Sequence, residues 1–161
     1  MADDGKARED GIWLHCSNSA VRRASRQLGR LYEDAMGDTG LKGTQFSLLS
    51  QIARTGEPTL KNLAEALVMD LSALGHTLKP LIRDGLVELV PDDGDRRVKR
   101  VRLTETGAAR QRELTARWQV AQSRFDTAFG KEESRALRKA MEFIASQEFA
   151  ALFNTKPVSG D

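Results

Sequence analysis

The strongest chemical signal in the chain is a set of five basic side chains within seven residues. They belong to the stretch DGDRRVKRVRLTETG, which runs from Asp93 to Gly107. Guanidinium and ammonium groups at this density suit the phosphate oxygens of a nucleic-acid backbone. The alternative is an ordinary solvated hairpin whose charges alternate. The five residues are Arg96, Arg97, Lys99, Arg100 and Arg102.

The pattern around these residues predicts the element that carries them. LVELVP reads as a strand, DDGD as a turn, and RVKRVRLT as the returning strand. In the returning strand Val101 and Leu103 share one face, and Arg100 and Arg102 share the other. We therefore expect a half-buried hairpin, with Asp95 oriented to pair with the Arg97 guanidinium.

Two short helices are predicted before the hairpin. The first, TLKNLAEALV, is capped by Thr59, and the second, MDLSALGHTLKPLIRDG, is capped by Asp70 and ends before Gly85. With the hairpin they form the parts of a winged helix-turn-helix, whose second helix enters the DNA major groove. Leu74, Leu78, Leu81 and Ile82 are expected to hold this helix to the domain, and Ser72, His76, Thr77 and Lys79 to face the groove.

Longer amphipathic helices flank this unit. Apolar residues recur at three- and four-residue steps from Trp13 to Ala35, and again after a Thr104 cap as far as Gly130. The last segment, KEESRALRKAMEFIASQEFAALF, is predicted as one helix. One chain cannot cover all these apolar stripes, so we expect a homodimer.

The predicted fold is mostly α, with a winged helix-turn-helix lobe and long N- and C-terminal helices that form a dimerisation domain. The predicted boundaries are a flexible arm over 1–11, the N-terminal helix over 12–40, the DNA-binding domain over 41–104, the C-terminal dimerisation helices over 105–153 and a flexible tail over 154–161.

Composition narrows the class of protein further. The chain has 161 residues, of which 30% are charged, and a net charge of +2. It contains no apolar run near the ~20 residues of a membrane helix, and we expect a cytoplasmic protein without membrane contact. A single cysteine excludes an internal disulfide or a thiolate zinc cage, and the two histidines and one cysteine are too scattered to predict a metal site. No other cofactor is expected.

The chain resembles the MarR family of winged-helix transcription regulators. The resemblance rests on GLKGTQFSLL, on LKNLAEALVMDLSALGHTLKPLIRDGLV, and above all on the wing stretch, which is similar to the family signature of Asp-x-Arg followed by a strand ending in Leu-Thr. It implies a homodimer that binds a pseudo-palindromic operator, usually as a repressor. It also implies that Arg96 and Arg97 are wing-tip contacts, and that release follows binding of a small aromatic or phenolic acid, or oxidation of a cysteine.

Two positions depart from what the resemblance or helix physics leads us to expect. Val68 stands where the family often has glycine in the turn between the two helices, which predicts a slightly different turn. Pro80 lies inside the recognition helix and removes a backbone donor, which predicts a kink.

The resemblance places an effector pocket between the DNA-binding lobe and the dimerising helices. Aromatic rings would surround the ligand, and Arg22 or His15 would neutralise a carboxylate. The same residues could instead be core and dimer packing. The candidates are Trp13, His15, Cys16, Arg22, Phe46 and Trp118.

Cys16 supports a second interpretation, since some members of the family sense oxidants through one cysteine near the start of the first helix. It could equally be a small apolar side chain in a packed interior. A thiol-dependent enzyme is not expected, because adjacent residues such as His15 and Cys16 do not face each other on a helix. A winged-helix module that binds proteins rather than DNA is the remaining alternative.

Overall fold

The computed structural model describes residues 15–155, so Trp13, the predicted arm over 1–11 and residues 156–161 of the predicted tail lie outside the described residues. The described part is mainly helical, with one hairpin of two antiparallel strands. Its elements are α1 Ser17–Met36, α2 Gly43–Thr55, α3 Leu60–Ala66, α4 Leu71–Arg83, β1 Val87–Pro91, β2 Lys99–Leu103, α5 Glu105–Phe129, α6 Lys131–Ile144 and α7 Gln147–Asn154.

The side chains that start α3, α4 and α5 are the predicted ones. The Thr59 hydroxyl accepts the Asn62 backbone N–H at 3.1 Å. The Asp70 carboxylate likewise accepts from the N–H of residue 73 at 2.7 Å. The Thr104 hydroxyl accepts from the Gly107 N–H at 3.0 Å. Each cap satisfies a backbone donor that the first turn leaves unpaired, a contribution of about 1 kcal/mol.

Two predicted helix boundaries are wrong. The residue type of Thr44 predicts the N-cap of α2 there, but the helix begins at Gly43, directly after Lys42, whose backbone N–H donates to the Gln45 side chain at 2.8 Å. The single last helix is in fact two, α6 and α7. Ser146 separates them, because its hydroxyl donates to the Phe143 carbonyl at 2.7 Å and accepts from the N–H of residue 149 at 3.1 Å. A serine hydroxyl thereby ends one helix and caps the next.

The hairpin pairs β1 with β2 from Val87 opposite Leu103 to Pro91 opposite Lys99. Val101 is fully buried and its backbone N–H donates to the Pro58 carbonyl at 2.9 Å, which ties the hairpin to the segment before α3. The predicted alternation is confirmed, since the valine and leucine of β2 face the core and the arginines face away.

The winged lobe, residues 41–104, encloses its own core. Leu74, Leu78 and Leu81 hold α4 as predicted, but Ile82 is 37% exposed and does not. This correction follows from the helical phase, because a residue next to a buried leucine points about 100° away from it. The fully buried members of this core are Leu48, Leu49, Ile52, Leu63, Leu74, Leu78, Leu81, Val87 and Val101.

Helix α5 is fixed to the lobe just after α4. The Thr104 hydroxyl donates to the Gly85 carbonyl at 2.6 Å. A Cβ on Gly107 would lie 1.8 Å from the Leu86 carbonyl oxygen, so only glycine allows this approach. The start of α5 is therefore packed directly against the segment that follows α4.

A smaller core joins α1 to α5. Met36, Phe46, Leu114 and Ala121 are buried together, and the Tyr32 hydroxyl donates to the Gln122 side chain at 2.9 Å. Because residues nearer the start of α1 meet residues nearer the end of α5, the two helices run antiparallel.

Outside these cores, the helices α1, α6 and α7 (the outer helices) keep large apolar side chains exposed in the single chain. No helix within residues 15–155 has the length and apolar character needed to cross a bilayer. The largest exposed side chains on these helices are Leu31, Phe143, Ile144, Leu152 and Phe153.

Candidate nucleic-acid interface

The polar face of α4, the recognition helix, is open. Ser72, His76 and Lys79 are exposed and lie four and three residues apart, so they share one face. Thr77 is only partly exposed, and its hydroxyl donates to the Ala73 carbonyl at 3.1 Å. The Thr77 hydroxyl proton is therefore engaged within the helix instead of being free to donate to a base.

The turn between α3 and α4 contains a strained residue. Val68 has a φ of 52°, in the left-handed region that glycine favours. Its N–H donates to the Glu65 carbonyl at 3.1 Å, and the next N–H donates to the Ala64 carbonyl at 2.9 Å. These bonds hold a β-branched residue in a conformation that costs about 1–2 kcal/mol.

Helix α4 continues through Pro80 and ends at Arg83 as a single helix. Proline has no N–H, so the carbonyl of His76 lacks its usual donor four residues on.

Asp92 organises the tip of the wing, which is the hairpin over residues 87–103. One carboxylate oxygen accepts from the N–H groups of Gly94 and Asp95 at 2.9 and 3.0 Å, and the other accepts from the Arg100 guanidinium. The Asp95 N–H, then Arg100 and the Gly94 N–H, lower the pKa of Asp92. A charged Asp92 is therefore part of the folded wing.

Two of the five basic residues serve the wing itself. Arg100 bonds to Asp92 and donates to the Glu57 carbonyl at 2.7 Å, so its guanidinium connects the wing to the segment before α3. Arg102 donates to the Glu88 carboxylate at 2.8 Å and lies 3.6 Å from the Glu57 carboxylate.

The expected ion pair between Asp95 and Arg97 is also replaced by a different contact. The Asp95 carboxylate accepts the backbone N–H of Arg97 at 3.0 Å, which leaves the guanidinium unpaired. Arg96, Arg97 and Lys99 are exposed, and none of their side chains makes a hydrogen bond or ion pair within residues 15–155.

Two of these three side chains line different sides of the wing. Lys99 lines an apolar groove of about 670 Å³ together with Lys79 and Gly75 of the recognition helix. Arg96 lines the opposite side of the hairpin, near Asp92. The free positive charge therefore extends from the recognition helix across both sides of the wing.

The candidate effector residues are not brought together within one chain. Phe46 packs with Met36 at the end of α1, whereas Cys16 precedes the start of that helix, about 30 Å away at 1.5 Å per residue. His15 and Arg22 are exposed near the Cys16 end, and Trp118 is 36% exposed on α5. A pocket that uses all of them would require a second subunit.

Cys16 is the N-cap of α1. Its sulfur accepts the Ser19 backbone N–H at 3.5 Å, and the hydrogen bonds with Ser19 are the main cause that lowers the pKa of the thiol. Within residues 15–155 no three His, Cys, Asp or Glu side chains are grouped for a metal ion.

Sequence comparison identifies relatives of the chain. A model of the MarR family matches residues 39–98. The multiple antibiotic resistance protein MarR of Salmonella typhimurium is 35% identical over 89 residues, which cover 55% of this chain and 62% of that protein. The transcriptional repressor NicR of Pseudomonas putida is 32% identical over 89 residues, 55% of this chain and 56% of NicR. The match thus spans less than two thirds of either relative.

Solved structures extend the likeness over most of the chain. The M. tuberculosis regulator MOSR, in a complex with DNA, has a TM-score of 0.74 and 30% identity, covering 85% of this chain and 98% of MOSR. PcaV of Streptomyces coelicolor, solved with its natural ligand, shares the fold at a TM-score of 0.74 and 19% identity, over 84% of this chain and 96% of PcaV.

The helix pair and hairpin define a winged helix-turn-helix protein with long flanking helices. The chain belongs to the MarR family, which is a family of transcriptional regulators.

Proposed function

We propose that the chain is a homodimeric, sequence-specific DNA-binding regulator of transcription in the cytoplasm, acting as a repressor. The observation that carries this proposal is the division of labour in the wing. Arg100 and Arg102 are paired within the protein, whereas the side chains of Arg96, Arg97 and Lys99, beside an open recognition helix, have no partner among residues 15–155. Unpaired basic groups around a groove-sized helix fit double-stranded DNA.

In this proposal the recognition helix enters the major groove and presents Ser72 and His76 to base edges. Lys79 and Lys99 line the groove of the protein between the recognition helix and the wing. From there their ammonium groups reach phosphates on either side. Arg97, at the wing tip, meets the neighbouring backbone or the minor groove.

The exposed apolar faces of the outer helices support the homodimer. A second copy would cover them, and a two-fold dimer would read two half-sites of a pseudo-palindromic operator. The MarR-family relative NicR is named a repressor, which agrees with the proposed direction of control.

Fluorescence anisotropy on the DNA upstream of the chain's own gene tests the proposal. Arg97→Ala should weaken binding by about 1–3 kcal/mol and reduce the salt dependence by about one charge. Arg102→Ala is the matched control, because it removes the same charge from the same hairpin but from an ion-paired group. Its loss should be smaller.

Equal losses in the two variants would show that the wing contributes only general charge. If the wild-type chain binds no DNA even at low salt, the protein-interaction alternative replaces the proposal.

We further propose that a small aromatic or phenolic acid, or its thioester, releases the DNA. The structure of PcaV with its natural ligand supports ligand control in a protein of this fold. The aromatic and basic candidates on α1 and α5, including Trp118 and Arg22, would contribute from both subunits. Titration of aromatic acids into the protein–DNA complex should release it, and Trp118→Ala should raise the concentration required.

Oxidation of Cys16 is a second candidate signal, favoured by its N-cap position and lowered pKa. Stoichiometric peroxide should then release the DNA, and Cys16→Ser should abolish the release. DNA binding that survives peroxide would exclude this signal and leave the organic acid.

A further inference from the structure

Three charged side chains on α5 form a cluster, and two of them contact the segment at the end of α1. Glu113 lies between two arginines, 2.6 Å from Arg110 and 3.2 Å from Arg117. Both guanidinium groups also donate to backbone carbonyls at the end of α1 and in the loop after it: Arg110 donates to Thr39, and Arg117 donates to Met36 at 3.2 Å and to Asp38 at 3.5 Å. The Glu113 carboxylate thus orients two guanidinium groups, and both of them donate to backbone carbonyls at the end of α1 and just after it.

The backbone carbonyls that Arg110 and Arg117 contact need these hydrogen-bond donors. The last turn of α1 contains no basic residue of its own. The Gly37 N–H donates to the carbonyls of Glu33 and Asp34, and Arg117 supplies a donor to the carbonyl of Met36. Arg117 supplies the missing positive charge at the negative end of the helix dipole. Thr39 is only 7% exposed, and its hydroxyl donates to the Leu41 carbonyl at 2.9 Å. The loop is therefore anchored at successive residues.

The position of this contact along α5 gives it a consequence for the whole chain. The start of α5 is fixed to the end of the recognition helix through Thr104 and Gly107. The Arg110–Glu113–Arg117 cluster, one to three turns later, fixes the same helix to the end of α1. Helix α5 thereby connects the DNA-reading element to a proposed dimerisation helix.

We propose that Arg110, Glu113 and Arg117 form a positioning clamp that holds the recognition helix at a set orientation to α1. In the dimer this orientation determines the half-site spacing that the protein accepts. The role of the clamp in half-site spacing rests on the proposed DNA-binding function, but the existence of the clamp does not.

The clamp itself is tested without DNA, by measuring the distance between two spin labels within one chain. Ser25→Cys on α1 and Ser72→Cys on the recognition helix carry the labels in a Cys16→Ser background, and both serines are exposed. The labelled protein is diluted with unlabelled chain so that distances between subunits do not contribute. The intact clamp should give a narrow distribution, and Arg117→Ala should broaden or shift it.

Arg112→Ala is the matched control. Arg112 is exposed on the same helix and makes no hydrogen bond or ion pair within the described part of the chain. Glu113→Gln, which keeps the side-chain volume, separates loss of the clamp from loss of packing and should broaden the distribution in the same direction. Circular dichroism confirms that each variant retains its helices.

The role of the clamp in half-site spacing is tested on operator duplexes that the wild-type protein selects from random DNA. Arg117→Ala should reduce the preference for the full site over a single half-site about tenfold, because the two recognition helices of the dimer no longer match the spacing of the half-sites. Its affinity for the half-site should stay within about twofold of wild type, and a one-base-pair insertion between half-sites should penalise it less.

An unchanged distance distribution in both Arg117→Ala and Glu113→Gln would overturn the clamp. An equal fall in half-site and full-site affinity would also overturn the role of the clamp in spacing, since the winged lobe itself would then be damaged. A wild-type protein that selects no DNA would refute the proposed function, while the distance measurement would still decide whether the clamp exists.

Discussion

The winged lobe and the outer helices satisfy their apolar side chains in opposite ways. In the lobe, Leu49, Leu74 and Leu81 are fully buried among residues of the same chain. On the outer helices, Phe153 is 78% exposed and Phe143 and Ile144 are also open to solvent. A closed core is stable by itself, whereas exposed apolar faces of this kind lower their free energy when another surface covers them.

The wing shows the same division among charged residues. Arg100 is bound to Asp92 and to a carbonyl near α3, while the Arg97 guanidinium has no partner in the described part of the chain. Groups that are paired within the chain hold the shape of the wing, and groups left unpaired are available to another molecule. In the proposed function, the unpaired groups are therefore the ones expected to contact DNA.

The largest expected effect comes from breaking the closed core. Leu81→Ala should lower the free energy of unfolding by about 2–5 kcal/mol, because it leaves a cavity in a fully packed site. The loss should be the same at all protein concentrations. Chemical denaturation followed by circular dichroism, at two concentrations a hundredfold apart, measures it.

Phe153→Ala is the counterpart on the outer helices. It should leave the unfolding of the lobe nearly unchanged but weaken dimerisation, as sedimentation equilibrium would show. Wild-type chains that sediment as monomers at micromolar concentration would contradict the dimer, and with it the contrast between the two regions.

A smaller effect should follow from relieving strain within the lobe. Val68→Asn should raise the free energy of unfolding by about 1 kcal/mol, since asparagine tolerates the left-handed conformation that valine resists. Val68→Ile keeps the branched side chain and should give no gain. Thermal unfolding compares the three proteins, and equal stabilities would mean that the turn is not strained.

The smallest effect concerns the exposed wing and depends on pH. The pKa of Asp92 is lowered in the folded state, first by the Asp95 N–H and then by Arg100. Its stabilisation is therefore present above the unfolded carboxyl pKa of about 4, and is lost as pH falls through the lower folded value. Asp92→Asn removes it, so the difference in melting temperature from wild type should be present at pH 7 and shrink below pH ~4.

Asp93→Asn serves as the control, because Asp93 is exposed and has no hydrogen bond or ion pair within residues 15–155. A pH-independent difference for Asp92→Asn would show that the carboxylate acts through shape and not through its charge.

Much of the local structure was predictable from the sequence because it depends on near neighbours. Thr59, Asp70 and Thr104 cap the helices that follow them, and alternation along β2 places Val101 inside. Caps, turns and periodic apolar faces are set by residues within a few positions of each other. The break at Ser146 was missed because a serine inside a periodic segment is compatible with both a continuous and a divided helix.

The site depended on contacts that no local pattern contains. The sequence alone placed five basic residues on one hairpin and a polar face on the recognition helix. Only the tertiary structure decided that Arg100 is held by a carbonyl 43 residues away, that the Thr77 hydroxyl is engaged within its own helix, and that no residue from 15 to 155 pairs with the Arg97 guanidinium. Local propensity fixes which elements form, but the pairing of charges is determined by which elements the fold brings within hydrogen-bonding distance.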